Sequence, residues 1–169
     1  MMKMKKRIFS SCTLFFALGF AAALTSASAQ ETPGIEGVWF AEVTPVNCQT
    51  GAVIPNAPSF RALNMFSHDG SLTNEAAFLV PTPNFTPQRS SGVGAWAHTQ
   101  GHMYAGTFWF FRYNPDGTFL AMREVSTTIL LSDHRFTSMD KFQDYDANNN
   151  PISGAGSSGC NTVTATRVQ

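Results

Sequence analysis

After residue 30, stretches with the 3.6-residue period of an amphipathic helix are hard to find. Runs rich in Phe, Thr, Val, Trp and Tyr take their place, separated by polar turn signals at short spacing. These signals are His68-Asp69-Gly70, Thr99-Gln100-Gly101-His102, Asn114-Pro115-Asp116-Gly117, Ser132-Asp133-His134 and Asn148-Asn149-Asn150-Pro151. Short strands with such punctuation predict an all-β sandwich or barrel. Eight strands are expected, at about 36–44, 59–67, 71–79, 93–100, 102–113, 118–131, 134–145 and 158–168. Most joins are tight hairpins. The exceptions are Pro45 to Pro58 and Val80 to Gly92, the second carrying Pro81, Pro83 and Pro87.

Eight strands joined in sequence can close without an edge, the last pairing with the first. The predicted fold is therefore an eight-stranded antiparallel up-and-down β-barrel. Its strand directions sort the connections. The turns at 68–70, 99–102 and 132–134 fall at one end. The 45–58 and 80–92 loops fall at the other, with the turns at 114–117 and 148–151. Tight turns predict a closed end, and the two long loops predict a mouth.

Closure also explains why the ends of the chain look complementary. Trp39 starts the first strand and Arg167 finishes the last, both at the closed end. Cys48 follows the first strand and Cys160 begins the last, both at the mouth. Adjacent strands are about 5 Å apart, and a disulfide needs Cα atoms within about 7 Å. An even strand count joins both pairs, and an odd count separates both. Gly37-Val38-Trp39 also matches the G-x-W signature that opens the first strand of lipocalins and related calycins. In many of those proteins an arginine near the barrel's end covers the tryptophan, and Arg167 is suitably placed. The chain thus resembles a secreted, lipocalin-like calycin barrel of bacterial type. The second lipocalin motif, T-D-Y, is absent. That directs the resemblance to more distant relatives, such as other bacterial calycin-like proteins or barrels similar to allene oxide cyclase.

Composition adds the compartment. Lys3, Lys5, Lys6 and Arg7 precede an apolar run from Ile8 to Leu24, and Ala27-Ser28-Ala29 fits a small-x-small cleavage site. Residues 1–29 read as a signal peptide and 30–169 as a single β-barrel domain. The product is expected to be exported, periplasmic or extracellular, with no stable membrane span after cleavage. Cys12 leaves with the leader, so Cys48 and Cys160 have only each other. Four of the 11 Lys and Arg residues leave as well, but none of the 11 Asp and Glu. The acidic remainder, with Lys141 as its one lysine, disfavours nucleic acid as a partner.

Catalytic signatures are missing: there is no G-x-S-x-G, H-E-x-x-H or phosphate loop. Ser90-Ser91-Gly92-Val93-Gly94 contains G-x-G but belongs to no βα unit. His68, His98, His102 and His134 all map to turns at the closed end, spread around a rim much wider than a metal's coordination sphere. Asp144, Asp146, Asn148 and Asn150 echo half a calcium loop, but Asn149 replaces its glycine and Ala155 its final acid. These read as polar turns, and no metal or cofactor is expected.

The strands themselves are more telling. Met103 to Tyr113 and Thr118 to Leu131 are long and apolar on both faces in places. A small barrel either fills its interior with side chains or holds one ligand. Phe78, Trp96, Phe108 and Phe110 are the candidate lining residues. Arg123 is the candidate polar anchor, whether paired inward with Glu75 or turned with it to solvent. The first functional expectation is binding of a small, largely apolar molecule. The alternative is a cofactor-independent cyclase or isomerase, with Glu75 or His98 shuttling a proton. The third is an interaction module with a fully packed interior. Oligomeric state is left open.

Overall fold

Each predicted run forms a strand in the computed structural model, which describes residues 34–77 and 88–169. The leader 1–29 and Phe78 lie outside the described residues. The strands are β1 (Gly37–Val46), β2 (Phe60–Phe66), β3 (Ser71–Ala77), β4 (Gln88–Arg89), β5 (Gly92–Gln100), β6 (Met103–Tyr113), β7 (Phe119–Ser132), β8 (Arg135–Tyr145) and β9 (Ser158–Arg167). Every pairing is antiparallel, in the order β4-β6-β5-β3-β2-β1-β9-β8-β7, and a β6–β7 ladder closes the ring. The fold is an all-β, eight-stranded, up-and-down closed barrel, in which β4 and β5 together fill one strand position.

The two-residue β4 was not foreseen, because it belongs to a proline-rich stretch without a strand period. It pairs Gln88 with Tyr113 and Arg89 with Arg112, while β5 begins its ladder with Val93 opposite Trp109. One extra residue therefore stands on the β4–β5 side. Ser90 spans the interruption: its N–H donates to the Phe111 carbonyl at 3.0 Å, and its hydroxyl accepts from the Phe111 N–H at 3.0 Å. This is a β-bulge, and it turns the side chains before it to the opposite face of the sheet.

Register is staggered around the ring. Ser71, beside a closed-end turn, is carried through Ala95, Thr107 and Ser126 to Cys160 and Val46 at the open end. The strands must tilt to accommodate that offset, as closed barrels require. β1 and β9 are neighbours, with Trp39 opposite Arg167 and Val46 opposite Cys160. Cys48 and Cys160 are bonded, with Cα atoms 5.1 Å apart.

The closed end is filled by aromatic rings. Trp39 is fully buried, and its indole N–H donates to the Ile35 carbonyl at 2.7 Å. Phe136 meets it edge-on at 5.1 Å, and Phe66 meets Phe136 at 6.0 Å. Trp96 continues the cluster against Phe66 and Tyr104 and donates its indole N–H to the Ser67 carbonyl. Such edge-to-face pairs contribute about 0.5–1.5 kcal/mol each beyond their burial.

Candidate functional site

Above that floor the barrel is hollow. Alternation along the strands directs Val43, Ala62, Phe108, Phe110, Val125 and Val163 inward, around a cavity of about 450 Å³. Pro45, Ile54, Tyr113 and Gly156 line it at the open end. This volume argues against the fully packed interior.

Glycines set where the lining rings lie. A Cβ at Gly94 would stand 2.0 Å from the Thr107 carbonyl oxygen and 2.5 Å from the Phe108 Cα, so β5 approaches β6 there as only glycine permits. At Gly92 a Cβ would meet the Phe108 ring at 2.9 Å. The G-x-G that suggested no nucleotide site thus makes room for an aromatic wall. Gly159 serves Phe142 in the same way, at 2.7 Å from its ring.

Polar groups stand in three places around this apolar chamber. On the β7–β8 wall Asp140 is buried and lines the cavity opposite Thr127. It accepts from the Ser138 hydroxyl at 2.9 Å. Burial raises the Asp140 pKa, and hydrogen bonds from Thr127 and Ser138 only partly oppose that. At the open end Arg112 and Arg123 converge on the buried carboxylate of Asp144; Arg123 donates at 2.6 and 2.9 Å. Arg123 also donates to the Gly156 carbonyl at 2.6 Å and lies 4.0 Å over the Phe142 ring. The Arg112 pKa is lowered, by burial first and then by Arg123.

The third place is the β2–β3–β4 wall. Arg89 donates to the Asn74 carbonyl at 3.1 Å and to its amide oxygen at 3.0 Å, with its guanidinium 3.7 Å over the Phe110 ring. Asn74 in turn donates to the Asn64 amide oxygen at 2.6 Å. All three residues line the cavity.

The predicted site residues divide accordingly. Phe108, Phe110 and Arg123 line the cavity. Trp96 is not in that lining and belongs to the closed-end cluster. Phe78 lies outside the described residues. The inward Glu75–Arg123 pair is not formed: Glu75 is exposed on the outer face of β3, whereas Leu72 and Asn74 face inward, and Arg123 takes Asp144 instead. His98 is exposed at the closed-end rim, against the Gly101 carbonyl and the Tyr104 ring. The half calcium loop is a hairpin: Asp146 accepts from Asn148 and Asn150, and Asp144 is occupied by arginines. Among the described residues no group of three or more His, Cys, Asp or Glu side chains is placed to hold a metal ion.

Sequence reasoning missed Arg89, Asn64, Asn74 and Asp140. Alternation would have placed Asn64 with Phe66, Asn74 with Leu72, and Asp140 with Phe136. Arg89 carried no such signal, because the bulge reverses its parity. Among known proteins, no family model matches the chain and no curated protein matches it.

Proposed function

We propose that this protein binds a small, largely apolar molecule inside its barrel. The observation that carries the reading is the cavity itself. Its volume of about 450 Å³ lies within the ~300–1,000 Å³ of small-molecule sites, and its apolar lining is broken by a few grouped polar side chains. The packed rings and tight turns of one end make the other the entrance. Export of the mature chain, and a lipocalin-like origin for the barrel, are proposed with it.

A neutral, environment-sensitive dye such as N-phenyl-1-naphthylamine tests the reading. It should bind once per chain, and Phe108→Ala should weaken it several-fold. His68→Ala, in an exposed closed-end turn, should leave it unchanged. Absence of saturable binding by the oxidised, folded chain would overturn the reading.

One observation favours the cyclase or isomerase alternative, namely Asp140, a buried acid on the cavity wall. It is better placed than Glu75 or His98 to give a proton to an enclosed substrate. A bound flexible ligand recovered chromatographically unchanged after prolonged incubation would reject that alternative and leave binding intact.

A further inference from the structure

The inner face near the mouth carries more cation than it can neutralise. Arg89 and Arg112 are direct cross-strand partners, and like charges so placed repel. Arg123 stands one strand further round, two residues from the Arg112 partner Ala121. Three guanidinium groups therefore line one region of the cavity. The only carboxylate in contact with them among the described residues is Asp144, and Arg112 and Arg123 use both of its oxygens. Asp140 is held by Ser138 and Thr127, Glu124 accepts from Tyr145, and Glu75 is exposed outside.

Arg89 is thus left with neutral partners only: the Ser90 and Asn74 carbonyls, the Asn74 amide oxygen and the Phe110 ring. Burial lowers its pKa to about 10, with Glu75 raising it and Arg123 lowering it, so it is a cation at neutral pH. The adjoining amides run in one direction. Arg89 donates to Asn74, and Asn74 donates to Asn64. Each amide oxygen already accepts one hydrogen bond, and the Asn64 amide N–H groups and the remaining Arg89 nitrogen stand as further donors at the cavity wall. Donors at both ends of the chain suit an acceptor. The bulge at Ser90 is what brings Arg89 to this face, and bulges commonly re-aim a side chain beside a site.

From this wall we infer that the ligand is an amphipathic carboxylate, its acid group held by Arg89 with Asn64 and its apolar part directed toward the aromatic floor. The inference rests on the binding reading above and adds the ligand's chemical class. A carboxylate brought into this low-dielectric cup meets a preorganised cation and removes the excess charge.

Calorimetric titration of the oxidised mature chain with decanoate and with 1-decanol tests it, since the two share a tail and differ in charge. Decanoate should bind at least tenfold more tightly. Arg89→Gln should cut decanoate affinity about tenfold and leave decanol within twofold, and Arg89→Lys should retain most of the preference. Equal affinities of decanoate and decanol in the wild-type chain would overturn the carboxylate inference while cavity binding stands. Binding of neither would overturn both. If Arg89→Gln does not fold, the wild-type ratio and Arg89→Lys still decide the question.

Discussion

Trp39 and Arg167 are register partners at the closed end, with the guanidinium 4.3 Å from the indole ring centre. The same guanidinium donates to the backbone carbonyls of Gly34 and Glu36, so it ties the chain's entry into β1 to the end of β9. Removing the ring should leave a cavity that its neighbours cannot collapse into. Trp39→Ala is expected to cost about 3–5 kcal/mol, read by chemical denaturation. Arg167→Ala should cost about 1–3 kcal/mol, because it strips hydrogen bonds from two carbonyls. Losses below about 1 kcal/mol for Trp39→Ala would mean that the ring is not a structural element of the floor.

The Cys48–Cys160 bridge joins residues 112 apart in sequence, across the ladder that pairs β1 with β9, the first strand with the last. Constraining so long a loop in the unfolded chain corresponds to roughly 5 kcal/mol from loop entropy alone. Reduction, or replacing both cysteines with serine, should lower stability by about 2–5 kcal/mol without changing the strand content seen by circular dichroism. Peptide mapping without reductant should recover the two cysteines as one linked pair.

Much of this architecture was legible because turns and apolar runs are local signals. Asp69-Gly70 and Asp116-Gly117 mark hairpins wherever they sit, and the even strand count followed from them. The meeting of Trp39 with Arg167 then came from topology, not from any property of the two segments alone. The interior chemistry was less legible for a physical reason. Whether Arg123 or Glu75 faces inward depends on strand phase, and both sit in strands whose two faces are partly apolar. Arg89 was hidden further, since a single inserted residue at Ser90 decides its side of the sheet. Asp144 looked like part of a turn motif, and only its contact with Arg112 and Arg123 reveals its role.

That role predicts a sharp loss on substitution. The Asp144 side chain is almost wholly buried, and both of its oxygens receive guanidinium donors. Asp144→Ala would leave Arg112 and Arg123 facing each other with no counter-charge, at a cost of about 3 kcal/mol or more. Replacing Arg123 with Met at the same time should recover part of the loss, because the repulsion goes with the second charge. A double-mutant cycle in denaturant measures the recovery. Strict additivity of the two changes would show that the pair is not coupled.

Asp140 predicts the opposite pH trend from an ordinary ion-paired acid. Burial raises its pKa in the folded state, against about 3.9 in an unfolded chain. Below about pH 4 the acid is protonated in both states and carries no penalty. As pH rises past that value, the unfolded chain ionises while the folded chain keeps its proton. Folding stability then falls by up to about 1.4 kcal/mol per pH unit, until the folded carboxyl itself ionises. Asp140→Asn cannot ionise and preserves the shape of the protonated acid. It can also still accept a hydrogen bond from the Ser138 hydroxyl. Other acids titrate in the same window. Asp69, Asp116 and Asp146 have pKa values lowered by turn hydrogen bonds, and they act in the reverse sense. They are common to both proteins and cancel in the difference. Denaturation of wild type and Asp140→Asn from about pH 3 to pH 7 should therefore give similar stabilities at the acid end. The variant should gain a growing advantage toward neutrality. A difference that stays constant across the range would show that the folded Asp140 ionises like an unfolded one. It would then not be held as a neutral acid at the cavity wall.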